Sequence, residues 1–211
     1  MHALRSPRSA PDRASLTEGQ DEPPLVVLLH GFGSHERDLP PIAPYVCDLP
    51  WISLRAPLEL PGAGAAWFPL DLPHEPRRDD IAEATRRLWE ALDGEVGPQR
   101  TLVPLGFSQG GLMALQLLRT RPERVAATVM LCGFVAEGSE VADARLSEQR
   151  PPVFWGRGAA DQVIWPAAIA RTASLLPQIS TLTERAYDRL GHGVDERMLS
   201  DARAFLDAAL G

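Results

Sequence analysis

The chain has 211 residues, 45% hydrophobic and 23% charged, with a formal net charge of −7, which are the proportions of an ordinary soluble globular protein of one domain with a substantial core. The negative balance argues against nucleic acid or an anionic membrane surface as partner, because both reward clustered positive charge. All 21 basic residues are arginine, which excludes Schiff-base chemistry on lysine and a lysine-dependent phosphate loop.

Residues 1–23 carry Arg, Ser, Pro, Asp and Glu with little to bury, and they predict a mostly loose arm. A short edge strand could form within residues 2–5. The arginines here precede no apolar segment, so the start does not read as a secretory signal. No apolar run is long enough to span a bilayer, and the expected compartment is the cytoplasm. The globular domain is expected to run from residue 24 to residue 211.

Leu25–Leu29 is a continuous apolar run, the pattern of a strand buried on both faces of a parallel sheet. The glycine-rich His30-Gly31-Phe32-Gly33-Ser34 follows at once. Residues 39–46 predict a short helix capped by Asp38 and made brief or irregular by Pro44. Trp51–Leu54 reads as a second strand. Residues 56–78 form a long Pro- and Gly-rich connection, and loops of that length in compact domains are usually functional. Asp79 then caps an amphipathic helix whose Ile81, Ala84, Leu88 and Leu92 share one face.

Residues 101–107 predict a strand, residues 111–119 a helix, and residues 125–131 another strand. A second long, polar connection covers residues 132–150. A strand over 152–155 leads to Gly156-Arg157-Gly158-Ala159-Ala160-Asp161, and a helix from about residue 165 is expected to stop before Pro177. Thr181–Tyr187 alternates like a strand near the edge. A loop over 188–193 precedes a closing helix, Glu196–Leu210, with Met198, Leu199, Ala202, Phe205 and Leu206 inward. This alternation predicts a three-layer α/β fold on a mostly parallel sheet.

The stretch Gly106-Phe107-Ser108-Gln109-Gly110-Gly111, between a strand and a helix, is the pattern of a tight turn that lifts a serine up as a nucleophile. A Cβ at Gly106 or Gly110 would collide where helix and strand approach. A serine hydroxyl needs a base to take its proton; imidazole suits that task, and a carboxylate on its far nitrogen fixes the tautomer. His192, between two glycines after the last strand, is the candidate base. His2, His35 and His74 read as surface residues, and His30 as a structural hydrogen-bonding residue. Asp161 is the candidate acid because it follows a strand two elements beyond the serine. Asp143 and Asp188 are rivals whose usual fate in such places is a loop carboxylate or helix cap.

Reactive residues in such a sheet gather where strands end at their carboxyl edge. Ser108, Asp161 and His192 would share that edge. The fold would supply oxyanion donors from the backbone N–H of Gln109 and from the loop near Phe32. Trp67 and Phe68 could line an acyl pocket or equally anchor their loop to the core. Cys47 and Cys132 lack metal-ligand spacing and read as small buried hydrophobes, so no metal site is expected.

These motifs resemble the phospholipase/carboxylesterase family of α/β-hydrolases, the group of acyl-protein thioesterases and small bacterial carboxylesterases. Leu28 to Gly33 with Asp38-Leu39 looks like its oxyanion loop, and Gly106 to Gly111 is similar to its nucleophile elbow. Gly158 to Ile164 resembles its acid motif and Gly191-His192-Gly193 its histidine motif. The resemblance implies a compact, lidless serine esterase needing no cofactor, with Ser108, Asp161 and His192 catalytic and the Phe32 and Gln109 backbone N–H groups as oxyanion donors. The polar connection over 132–150 points to small carboxylic esters with short or medium acyl groups. Acyl-protein thioesterase, lysophospholipase and peptidase activities share the same chemistry. A non-catalytic binding module on the fold is the reading from another class. Monomer and homodimer both remain open.

Overall fold

The computed structural model describes residues 1–6, 22–71 and 74–211. The expected arm therefore lies largely outside the described residues. The elements run β1 (Ala3–Arg5), β2 (Leu25–Leu29), α1 (Ala43–Val46), β3 (Trp51–Leu54), β4 (Leu58–Glu59), β5 (Ala65–Ala66), α2 (Arg78–Val96), β6 (Leu102–Phe107) and α3 (Gln109–Thr120). They continue with β7 (Thr128–Leu131), α4 (Asp143–Gln149), β8 (Pro152–Gly158), α5 (Pro166–Ile179), β9 (Thr181–Tyr187) and α6 (Glu196–Leu210).

Seven strands form one sheet in the order β1-β3-β2-β6-β7-β8-β9. All neighbouring pairs are parallel except β1 with β3, where Ala3 faces Leu54 and Arg5 faces Ile52. The central strands β2, β6 and β7 are buried on both faces, which the side-chain period of two resolves residue by residue. Leu25, Val27 and Leu29 of β2 point to the layer of α2, α3 and α5, beside Leu88, Leu92, Leu112 and Leu117. Val26 and Leu28 point to the opposite layer of α1 and α6, beside Val46, Met198, Ala202 and Leu206. Each fully buried aliphatic chain of this kind contributes about 1.5–3 kcal/mol. Leu146 of α4 and Leu176 and Ile179 of α5 close a third cluster against Met130, Val153 and Trp155.

Several boundaries differ from expectation. Asp38 does not cap a helix; its carboxylate accepts the Ser34 hydroxyl at 2.7 Å. Before Ala43 the chain closes only tight turns, Ile42 N–H to the Leu39 carbonyl and Ala43 N–H to the Pro40 carbonyl, because Pro44 has no N–H to begin an i to i−4 ladder there. Nor does Asp79 cap α2. Arg77 holds that position without a side-chain bond, and Asp79 and Asp80 sit in the first turn, where carboxylates meet the positive end of the helix dipole. Pro177 does not stop α5, which runs on to Ile179. Leu176 and Ile179 are buried, and Arg150 donates to the Pro177 carbonyl at 2.9 Å, so packing outweighs the missing N–H. Strand β8 extends three residues past the apolar run, through Gly158 paired with Tyr187.

The two long connections are not featureless. Residues 56–78 contain the hairpin of β4 and β5. Residues 132–150 contain α4, and their polarity has a partly internal use. The fully buried Arg119 guanidinium binds both oxygens of Asp143, at 2.8 and 2.6 Å, and donates to the Gly138 carbonyl at 2.9 Å. Among the described residues no helix is long and apolar enough to cross a membrane.

Candidate active site

Strand β6 ends at Phe107, and α3 begins at Gln109. Between them Ser108 takes φ 54° and ψ −115°. A non-glycine residue held there costs on the order of 1–3 kcal/mol. The turn persists because its surroundings over-determine it. The Ser108 N–H donates to the Leu131 carbonyl at 2.8 Å, and the Ser108 carbonyl accepts from Gly111 and Leu112 at 2.9 and 3.1 Å. An ideal Cβ on Gly106 would lie 2.0 Å from the Gly110 carbonyl oxygen, so only glycine lets helix and strand approach this closely.

Strands β8 and β9 end beside each other and bring in the next two side chains. Ala159 N–H donates to the Tyr187 carbonyl and Ala160 N–H to the Leu190 carbonyl, both at 2.9 Å, stitching the acid loop to the histidine loop. Asp161 Oδ1 accepts from the backbone N–H groups of Val163 and Ile164 at 2.8 and 3.2 Å. Its Oδ2 is thereby aimed at His192 Nδ1, 2.8 Å away, with the carboxylate only 3% exposed. His192 Nε2 lies 2.9 Å from Ser108 Oγ. The three side chains form one hydrogen-bonded chain. The acid that meets His192 is Asp161; Asp143 is spent on Arg119.

The histidine ring and the loop that carries it each have a support. Phe107 lies against it with ring centroids 5.0 Å apart. Behind it, the Cys132 thiol donates to the Gly193 carbonyl at 3.2 Å. Ligand-type atoms of Cys132, Asp161 and His192 lie within 4.8 Å of one another. Burial pushes the Cys132 thiol up to about 11, so at neutral pH it is a protonated donor and a poor metal ligand. Cys47 is also buried and free.

Among the described residues the backbone N–H groups of Phe32 and Gln109 have no hydrogen-bond partner within the chain. Both belong to segments that leave neighbouring strands, since Leu29 of β2 pairs with Gly106 of β6. The side chain of Phe32 is 43% exposed, as is that of Val163 beyond the acid. Trp67 and Phe68 are each 1% exposed and belong to the core under α2 and α3. The shallow cleft they adjoin, about 150 Å³, is walled by Asp80, Glu83 and Arg87 and includes none of Ser108, Asp161 or His192. They hold the anchoring position. The Gln109 amide, whose side chain carried no expectation, is buried against them; a glutamine beside a serine turn gives no sequence signal of such a contact.

His30 has the structural role expected of it. Its Nδ1–H donates to the Gly31 carbonyl at 2.8 Å, and its Nε2 accepts from Ala56 N–H at 3.1 Å, which requires the neutral ring. Burial holds its pKa below the ordinary imidazole value of 6.5. The unfolded chain therefore takes up the proton first as pH falls. Stability from this residue is present above about pH 6.5 and is lost toward the lower folded value, with a slope of at most about 1.4 kcal/mol per pH unit. Urea unfolding of His30→Gln beside the parent, between pH 7.5 and 5, should show a shallower acid loss in the variant. His2, His35 and His74 are exposed.

The sequence matches the phospholipase/carboxylesterase family over residues 14–210. It is 28% identical over 158 residues to acyl-protein thioesterase 1 of Cryptococcus neoformans var. neoformans serotype D (strain JEC21 / ATCC MYA-565), covering 66% of either chain. It is 28% identical over 192 residues to esterase YpfH of Escherichia coli K12, covering 84% of this chain and 79% of that one. A probable carboxylesterase of Oryza sativa subsp. japonica is matched over 57% of its length. The chain thus spans just under two thirds of the fungal relative and less of the rice one. The fold resembles that of the Bacillus cereus carboxylesterase, with a TM-score of 0.76 over 92% of both chains at 24% identity.

Proposed function

The chain belongs to the phospholipase/carboxylesterase family, and from that premise we propose that it is a serine hydrolase of small carboxylic esters working through an acyl-enzyme. The observation that carries this reading is the chain Asp161 Oδ2 to His192 Nδ1 to Ser108 Oγ, at 2.8 and 2.9 Å, ending on a serine in a strained turn. With its Nδ1 proton held by Asp161, His192 has Nε2 free to accept the Ser108 proton as Oγ attacks the ester carbonyl carbon. The negative charge that develops on the carbonyl oxygen falls to the N–H groups of Phe32 and Gln109. Collapse of the tetrahedral intermediate breaks the ester C–O bond, and the proton on Nε2 passes to the departing alkoxide. Water then repeats the sequence on the acyl-serine: Nε2 takes its proton, the acid is released, and Ser108 recovers its hydrogen.

The acyl group is short or medium in this reading. Support comes from the polar connection over 132–150, whose Asp143 and Gly138 are tied up by Arg119. Thioesters follow the same acyl route, so oxygen esters, thioesters and lysolipids belong in one panel. The test begins with a fluorophosphonate probe. Intact protein should gain one covalent label on Ser108, and Ser108→Ala should gain none. Equal labelling of both, or of neither, would overturn the mechanism. Within a p-nitrophenyl ester series, kcat/KM is expected to peak at short or medium chains; a peak at palmitate would refute the chain-length assignment.

A further inference from the structure

The two proposed oxyanion donors come from separate loops, and neither N–H is held by a bond of its own. Donors of this kind act only when they lie about 2.7–3.1 Å from the position that the oxyanion will occupy. Pairing of β2 with β6 fixes the bases of the two loops at Leu29 and Gly106. Phe32 is already three residues beyond that pairing, so something else must hold its register.

The short segment Ala65 to Phe68 reaches both loops. On the Phe32 side, Gly33 N–H donates to the Ala65 carbonyl at 2.9 Å, and Ala65 N–H donates to the Ser34 carbonyl at 2.8 Å. The Trp67 indole N–H donates to the His30 carbonyl at 2.8 Å. On the Ser108 side, Gln109 Oε1 accepts from Trp67 N–H at 2.9 Å, and Gln109 Nε2 donates to the Phe68 carbonyl at 2.7 Å. A backbone donor and a backbone acceptor fix the orientation of the amide without ambiguity. Gln109 is fully buried, where a polar side chain is costly unless both of its ends are paired. Its backbone N–H alone would serve as well with many other side chains, so the amide has a separate task.

We propose that the Gln109 side chain and the Trp67 indole are positioning residues that lock the two oxyanion donors to each other through the 65–68 segment. The inference rests on the reading of Phe32 and Gln109 as oxyanion donors. Removing the amide leaves Trp67 N–H and the Phe68 carbonyl unpaired and lets the Phe32 loop drift relative to the serine turn. Ground-state binding of the ester changes little, while the developing oxyanion loses alignment.

Three variants test this: Gln109→Met, close in length without hydrogen bonds; Gln109→Glu, whose second oxygen would face the Phe68 carbonyl; and Trp67→Phe, which keeps the ring and loses the indole N–H. The readouts are kcat and KM on a short p-nitrophenyl ester, and the affinity of a trifluoromethyl ketone, which adds to serine and forms the oxyanion. Since loss of a whole donor costs about 10²–10³ in turnover, misalignment should lower kcat by about 10–100-fold in the Gln109 variants and less in Trp67→Phe, with KM within about twofold. Ketone affinity should fall in parallel. A purely structural role predicts lower melting temperature with kcat and ketone affinity unchanged below the transition, and that result overturns the proposal. If Gln109→Met does not fold, Trp67→Phe decides by the same criteria. Failure of the parent protein to turn over ester or to accept a label on Ser108 would instead defeat the hydrolase reading itself.

Discussion

Asp161→Asn is expected to lower kcat by about 10⁴-fold while leaving the melting temperature and KM nearly unchanged. The size follows from the hydrogen-bond directions. In the parent, Oδ1 accepts from Val163 and Ile164 N–H and Oδ2 faces His192 Nδ1. Asparagine satisfies the two backbone donors with its carbonyl oxygen, because its amide nitrogen cannot accept. The NH₂ group is then turned toward Nδ1, which must become an acceptor. The imidazole proton moves to Nε2, the atom 2.9 Å from Ser108 Oγ that takes its proton in the proposed mechanism. The side chains keep their places and the base is disabled. Steady-state kinetics with circular dichroism and thermal melting would check both halves; kcat within tenfold of the parent would contradict the proposed role of Asp161.

Gly110→Ala should prevent folding or destabilise the protein by more than about 4 kcal/mol, a size seen only with a named steric or polar cause. The cause is direct here. The added Cβ would lie 1.9 Å from the Leu29 carbonyl oxygen and 2.6 Å from that of His30. Both are backbone atoms at the end of a strand buried between two others, so neither can yield without moving the sheet or the loop that carries Phe32. The same substitution at Gly94 provides the contrast. Gly94 is exposed within α2 and an added Cβ meets nothing within 4 Å; Gly94→Ala should stabilise by about 0.5–1 kcal/mol through helix propensity. Urea unfolding of both variants gives opposite signs if close approach, and not glycine content, governs the serine turn.

Elements with a long, clean period were readable from the sequence. Leu25–Leu29 and Glu196–Leu210 appear with the bounds their patterns predict, because an uninterrupted apolar run or helical stripe leaves one way to bury its apolar side chains. The misplaced boundaries share a cause in tertiary context. Pro177 sits inside α5 because two buried neighbours outweigh one lost hydrogen bond, and β8 lengthens through Gly158 because β9 offers it a partner. Arg119 and Gln109 read as ordinary helix residues, and both are buried polar groups whose partners come from other parts of the chain. A side chain that bonds across more than twenty or forty residues leaves no local period to detect.

By itself the sequence determined the alternation of the main strands and helices along the chain, the serine turn and the glycine loops beside it, since backbone sterics and side-chain period are local properties. It also placed Ser108, Asp161 and His192 after strands that share one sheet edge. The sequence favoured Asp161 over Asp143 and Asp188 as the carboxylate for His192 from its place after a strand, and the physical reason for the choice appears only in three dimensions. Asp143 and Asp161 are both loop acids in the sequence, and the difference is that a buried arginine claims one while two backbone N–H groups aim the other. The 65–68 segment is the same case. Its aromatic pair could face a ligand or the core from sequence alone, and the folded chain turns it inward, where its backbone can tie the Phe32 loop to the serine turn. Such assignments depend on distances set by strand lengths and packing angles summed over the whole sheet, which no stretch of chain carries alone.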